Sequence, residues 1–408
     1  MKILSLILLV PLFGFASGNL SELLNLAEQN HYVQSSRYQL ESAQENARAV
    51  RSGYLPSLSL GANQTYNKEE NMLTPEESRT GSATLSFTLY DGGKRGAQFS
   101  QQDALVKSAT FALSSVQNSV SLDVIYAYFN YLSTLASLEA TEQKKEQLLA
   151  ERYRLERFLS VEVATEDELQ KIISTIEQTN VDLLTLKNTL NNLLNTLEYL
   201  TGERVTVTQG SRVVLKETQE GERFDILALE QNVHSVKEEA KIAKSAHLPT
   251  ITLEDTYSRF KYDYANSAWK SDKDDQNTVQ LSLRWNIFDF GATAATVQAA
   301  QKNYLAKSSE LAYEKHRAKA SYQSARNSYQ TALAKIEANK AKLHASQTTY
   351  ALVKKKFQQG IVNNVTYLDA LSDRFNAQAQ LQTALNEVEY QKAVLLYEMG
   401  EEIKGAIQ

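Results

Sequence analysis

TGSATLSFTLYDGGKRGAQ, residues 80–98, begins with the alternation of a β-strand and ends with the start of a helix. Apolar residues occupy every second position before a glycine-bearing turn, and a long tract without proline follows it. A second copy, NTVQLSLRWNIFDFGATAATVQ, occupies residues 277–298. A period of two that changes to a helical period at such a turn predicts a strand running directly into a helix. The candidate turn residues are Asp91, Gly93, Asp289 and Gly291.

The two copies indicate a duplicated unit, because self-similarity at one spacing marks an internal repeat. Each unit is predicted as helix, strand, strand, long helix and helix, so the fold class is mainly α with a small β part. The first repeat covers residues 19–222, with strands at about 55–66 and 80–90, long helices at about 94–158 and 166–200 and an equatorial connector at 203–222. The second covers 223–408, with strands at about 250–260 and 277–288 and long helices at about 291–359 and 365–399.

Residues 1–18 have the pattern of a secretory signal peptide. A lysine at position 2 precedes an apolar run at residues 3–15, and small residues follow at 16–18. A transmembrane anchor is the alternative, but the run is shorter than the roughly 20 residues that span a bilayer, and it contains Pro11. The pattern therefore predicts an exported chain.

The composition of the chain argues against several classes of protein. It has 408 residues and no cysteine, which removes disulfides and thiolate metal sites. A net charge of -5 without a basic stripe argues against nucleic acid as a partner. The histidines are scattered without metal-ligand spacing, and no nucleophile–base arrangement stands out. We therefore expect no metal, no cofactor and no enzymatic activity.

The long helices follow two different spacings. Between Leu105 and Leu138, apolar positions recur in steps of 4, 4 and 3, an 11-residue repeat that predicts a nearly straight rod. Between Leu169 and Leu200, the steps of 3 and 4 are those of a left-handed coiled coil. About 65 residues at 1.5 Å each make the first rod roughly 100 Å long.

The strands have one apolar face and aromatic residues near their ends, as outer-membrane β-strands do. A half-buried antiparallel sheet in a water-soluble protein shows the same alternation, so the strands alone leave both open. The export signal and the long rods favour the membrane. Four strands cannot close into a barrel, and open edges in lipid leave backbone groups unpaired. A membrane location therefore requires an oligomer.

The chain resembles the TolC family of outer-membrane efflux and secretion channels over essentially its whole mature length. The matching segments are LPSLSL at 55–60 and LPTITL at 248–253, LYDGG at 89–93 and IFDFG at 287–291, and RFDILA at 223–228, where phenylalanine replaces the family's proline. The resemblance implies a homotrimer with a shared 12-stranded outer-membrane β-barrel and a 12-helix periplasmic α-barrel. It also implies outer-membrane lipid, a periplasmic adaptor (membrane fusion) protein and an inner-membrane pump as partners.

The resemblance also implies a constriction at the periplasmic tip, in the segment TYLDA at 366–370. Two aspartates three residues apart line it in well-known members; here Thr366 holds the first position and Asp369 the second. Asp373, one turn further, lies on the same helix face and offers a second carboxylate. Three-fold symmetry would make rings of negative charge that favour cations. A solvated helix face is the alternative for both aspartates.

The two tip turns are the expected adaptor-docking surfaces. In the second repeat, FQQG at 357–360 resembles the family's tip turn, with Phe357 and Gly360 as its candidate residues. In the first repeat, Val161 stands where the family has a glycine, and Thr165 precedes the next helix.

The resemblance predicts a passive exit duct of a tripartite efflux pump or type I secretion system, opened at its tip by the adaptor and pump. The alternative is a periplasmic coiled-coil adaptor or structural protein without a pore. That alternative predicts solubility without detergent.

Overall fold

A computed structural model of the chain describes residues 16–161, 164–215, 221–265, 267–269 and 273–408. Residues 1–15 of the expected signal peptide lie outside the described residues. Residues 16–18 form a short strand, β1, which pairs in parallel with β4, Val205–Val207. Within the described ranges, the chain divides into two compact units, one made of 16–36, 113–224 and 316–408 and the other of 37–112 and 225–315.

Seven α-helices account for most of the described residues. The long ones begin at capped or glycine-bearing turns and contain no internal proline. Their bounds are α1 Leu20–Ala27, α2 His31–Ser52, α3 Lys94–Leu159, α4 Glu166–Thr201, α5 Phe224–Ser245, α6 Ala292–Gln358 and α7 Asn364–Glu398.

The second unit contains a four-stranded antiparallel sheet in the order β2-β3-β5-β6. Its strands are β2 Ser57–Tyr66, β3 Glu77–Tyr90, β5 Thr250–Asp263 and β6 Asp275–Arg284. The prediction of a strand to about residue 288 was wrong, because the pairing with β5 ends where Arg284 lies opposite Thr250, the first residue of that strand. The Trp285 indole donates instead to the His247 carbonyl at 3.0 Å.

The register of the sheet separates an apolar face from a polar one. Leu58 lies opposite Leu85, and Leu253 lies between Phe87 and Leu281, while serines and threonines occupy the alternate rows. The apolar face is uncovered within the chain: Leu60 is 82% exposed and the neighbouring leucines are also exposed. A water-soluble monomer rarely exposes so continuous an apolar surface.

A carboxylate interrupts the leucine-rich part of this apolar face. Asp255 lies between Leu85 and Val279 in the register. One oxygen of its carboxylate is buried and has no hydrogen-bond partner. The sequence alternation did not reveal this position, because β5 carries polar residues on both faces near its middle.

The first unit has its main core where α1, the C-terminal residues and residues 205–215 of the connector meet the middle of α3. Most heptad positions of α4, including Ile172, Leu183 and Leu197, are buried as their spacing predicts. In the connector, residues 216–220 lie outside the described residues, and Val213 forms a β-bridge with Ile407. The largest fully buried side chains of this core include Tyr128, Leu20, Leu23, Leu24, Ile125 and Ile403.

Candidate functional site

The tip of the first unit lies where α3 is followed by α4 and α6 by α7. A hydrophobic cluster joins these four helices there, so the two helix pairs form one packed body. Its buried members are Ala140, Leu148, Leu155, Ile172, Ile176, Tyr350, Tyr367, Leu368, Ala370, Leu371 and Phe375.

The turn of the second repeat ends α6 with a left-handed glycine. Gly360 has φ +72°, a conformation that suits a residue without a side chain. The Ile361 N–H donates to the Lys356 carbonyl at 2.9 Å and closes the last turn of the helix. Asn363 then caps α7 by accepting from the Thr366 N–H at 3.0 Å.

The turn of the first repeat is built differently. Val161 is 63% exposed, and its backbone does not adopt the left-handed conformation of Gly360. The Thr165 N–H donates to the Glu168 carboxylate at 3.3 Å and thereby begins α4. The Asn364 amide, at the start of α7, donates to the Glu168 carbonyl at 3.3 Å, so the two turns are tied together.

An arginine at the end of α3 joins the two repeats in a way that sequence reasoning missed. Arg154 Nη2 donates to Glu151 Oε1 at 2.6 Å. The guanidinium carbon lies 4.5 Å from the Phe357 ring centroid and 5.4 Å from that of Phe158. The spacing of Glu151 and Arg154 on one helix face is visible in the sequence, but the contact with Phe357 in the other repeat is not.

Burial governs the ionisable groups of this network. The Glu151 side chain is 9% exposed, and its burial raises the pKa of the carboxyl, an effect that Arg154 partly offsets. The Tyr367 ring stacks on Phe357 with the centroids 4.7 Å apart. Burial, followed by the contact with Tyr350, raises the pKa of Tyr367. At the tip, the Arg154 guanidinium therefore lies between aromatic rings and the Glu151 carboxyl group, and that carboxyl group is largely shielded from water.

The three residues expected at a constriction share the exposed face of α7. Thr366, Asp369 and Asp373 are exposed, whereas the intervening Tyr367, Leu368 and Leu371 are buried against the cluster. The aspartates stand one helical turn apart. Within one chain, this face is free to meet other copies or solvent.

The strand-to-helix turns use their aspartates as helix caps. Asp91 Oδ2 accepts from the Arg95 N–H at 2.8 Å at the start of α3. Asp289 Oδ2 accepts from the Thr293 N–H at 2.8 Å at the start of α6. The hydrogen bonds from Thr293, the hydroxyl first, lower the pKa of Asp289. The same aspartate thus performs the same local task in both repeats.

The described residues contain no group of three histidine, aspartate or glutamate side chains placed to hold a metal ion. In the same part of the chain, every helix is too short or too polar to cross a membrane.

The sequence of the chain is similar to sequences of known outer membrane proteins. The family model for outer membrane efflux proteins matches residues 23–203 and 217–399. The outer membrane protein TolC of Escherichia coli (strain K12) is 24% identical over 412 residues, which cover 94% of this chain and 83% of that protein.

Two solved structures show the same fold. The outer membrane protein VceC of Vibrio cholerae superimposes with a TM-score of 0.82 at 16% identity, covering 94% of this chain and 96% of that one. The Campylobacter jejuni CmeC outer membrane channel gives a TM-score of 0.82 at 16% identity, with 94% and 86% covered.

Proposed function

Because this chain belongs to the outer membrane efflux protein family, we propose that it is the exit duct of a tripartite efflux pump or type I secretion system. The family consists of channels of the outer membrane and not of enzymes. The observation that carries the proposal is the four-stranded sheet with two unpaired edges and an exposed apolar face.

Such a sheet is stable in lipid only when its edges are paired. Each unpaired backbone group in hydrocarbon costs several kcal/mol, and closed bacterial barrels have about eight strands or more. Three copies of the sheet, with β6 of one beside β2 of the next, make a barrel of 12 strands. The helices of three copies then form a periplasmic tunnel, and the protein functions as a homotrimer.

The entrance of the tunnel lies at the tips. Asp369, with Thr366 and Asp373 on the same exposed face, forms the constriction, where three-fold symmetry makes a ring of carboxylates. The turns at Val161 and Thr165 and at Phe357 and Gly360 contact the periplasmic adaptor. The duct has no energy source of its own, and the adaptor and inner-membrane pump open it.

Single-channel recording in planar bilayers tests both the pore and its constriction. The purified protein should give small, cation-selective currents that divalent cations block, and Asp369→Ala should weaken this block by roughly tenfold or more. Glu337→Ala, which removes an exposed carboxylate from the α6 helix, is the matched control and should retain the block.

If divalent cations blocked Asp369→Ala and the wild type equally, the constriction would have to lie elsewhere. The proposal of a duct would still stand. A protein that remains soluble without detergent and shows no conductance would refute the duct itself.

A further inference from the structure

A cavity of about 560 Å³ lies in the first unit, where the junction of α1 and α2 meets α3 and the end of α4. Its volume falls within the range of about 300–1,000 Å³ that is typical of small-molecule sites. The constriction, the docking turns and the sheet contribute none of its lining. The lining includes side chains that could bind a polar or aromatic ligand: Gln29, His31, Tyr32, Asp123, Tyr199 and Glu203.

The mouth of this cavity is held in place by its own hydrogen bonds. The Asn30 amide donates to the Leu200 carbonyl at 2.9 Å and accepts from the Val33 N–H at 2.9 Å, which joins the start of α2 to the end of α4. Val33 is fully buried, and α4 ends at a left-handed glycine, Gly202. A ligand would therefore meet a preformed surface, which lowers the entropy lost on binding.

Two tyrosine rings stand exposed at this mouth. Tyr199 is 81% exposed and Tyr32 is 63% exposed. A tyrosine combines a flat apolar ring with a hydroxyl group that can donate and accept hydrogen bonds. The C–H face of a sugar ring stacks on such a surface, while its hydroxyl groups seek polar partners at the edge.

Acceptors for those hydroxyl groups line the same cavity. None of the hydrogen bonds or ion pairs of the described residues uses the Asp123 carboxylate. The Asp123 side chain is exposed, so its carboxylate is accessible to a ligand, and partial burial raises its pKa. Glu203 adds a second carboxylate and Gln29 an amide with both donor and acceptor capacity. Exposed rings beside carboxylates and an amide form a surface complementary to carbohydrate.

We infer that this cavity binds a sugar residue of the cell-wall glycan. The inference rests on the proposed function, which places the first unit in the periplasm, where the peptidoglycan is the carbohydrate polymer. A duct that crosses the peptidoglycan would be attached to it through this cavity. Tyr199 and Tyr32 hold the ring faces of the sugar, and Asp123 accepts from its hydroxyl groups.

Co-sedimentation of the detergent-solubilised full chain with purified peptidoglycan sacculi tests the inference. Tyr199→Ala and Asp123→Asn should each reduce the bound fraction by roughly tenfold. Tyr38→Ala, which removes another exposed tyrosine from α2, should bind as the wild type does. A soluble N-acetylglucosamine tetramer should compete, and lipopolysaccharide should not.

Equal sedimentation of Tyr199→Ala, Tyr38→Ala and the wild type would overturn the inference. Competition by lipopolysaccharide would also overturn it, because the bound sugar would then come from another source. A wild type that conducts in bilayers but does not sediment would refute the glycan site and leave the duct standing. A wild type that does neither would refute both.

Discussion

At the strand-to-helix turns, the two repeats place different residues at one left-handed backbone position. Gly92 has φ +69° and Phe290, its counterpart, has φ +52°. A β-carbon on Gly92 would lie 2.7 Å from the Leu248 β-carbon and 2.9 Å from the Ser245 carbonyl oxygen. The Phe290 side chain is 93% exposed within one chain, so the second turn meets no such obstacle there.

We expect Gly92→Ala to lower the free energy of unfolding by more than about 1 kcal/mol, because it adds both backbone strain and this steric contact. Gly93→Ala is the matched control. Its φ is +83°, yet a β-carbon there would have no neighbour within 4 Å, so it isolates the backbone strain. Thermal denaturation in detergent measures both variants. Equal losses would show that the contact with Leu248 contributes nothing.

At the scale of elements, the tip depends on side chains that join helices from different repeats. Arg154 connects the end of α3 to the end of α6 through the Phe357 ring, and Tyr367 continues the stack into α7. A shift of one helix pair against the other would separate a guanidinium from an aromatic ring, an interaction worth about 0.5–2 kcal/mol. The network therefore resists movement of α3 relative to α6 and α7.

The Glu151 carboxyl should make the stability of the tip depend on pH. Because its folded-state pKa is raised above the ordinary value of 4.5, the folded chain holds this proton to a higher pH than the unfolded chain does. Stability is therefore greatest below the ordinary value and falls as pH rises through it toward the folded-state pKa.

Melting temperatures recorded from about pH 4 to about pH 7 should fall less steeply in Glu151→Gln than in the wild type. Glu156→Gln should keep the wild-type slope, because Glu156 is 41% exposed in its pair with Arg152 on the same helix. If the melting temperature of Glu151→Gln fell with pH as steeply as that of the wild type, the pH dependence would come from other groups.

At the scale of the whole molecule, the sheet is the part that a single chain leaves incomplete. Its edge strands β2 and β6 have no partner on their outer sides. The apolar row that includes Leu60 is exposed, and the polar row that includes Ser59 lies on the opposite face. The proposed barrel turns the first row toward lipid and the second toward water.

Two lysine substitutions on adjacent residues of β2 distinguish these faces. Leu60→Lys should cost about 2–4 kcal/mol in lipid and reduce the yield of trimer extracted from outer membranes. In the proposed barrel, Ser59 faces the water-filled interior, so Ser59→Lys should assemble nearly as the wild type does. The yield of trimer on native gels, normalised to expression, measures the difference. The opposite order would mean that the apolar face is not the lipid face.

The sequence by itself determined the features that depend on neighbouring residues. The alternation in residues 80–90, the Asp-containing turns and the heptads of α4 all act within one segment, and the structure shows a strand, helix caps and a buried seam there. Local spacing specifies which residues share a face, so these elements and the mainly helical fold could be predicted without knowledge of the rest of the chain.

Only the tertiary structure decided what depends on the element lying opposite. It ended β6 at Arg284, where the pairing with Thr250 stops. It placed Asp255 in the apolar row and set Arg154 over the Phe357 ring of the other repeat. Contacts between distant segments follow from register and packing, which no local period encodes. The cavity between Tyr32 and Tyr199 could not be read from the sequence for the same reason.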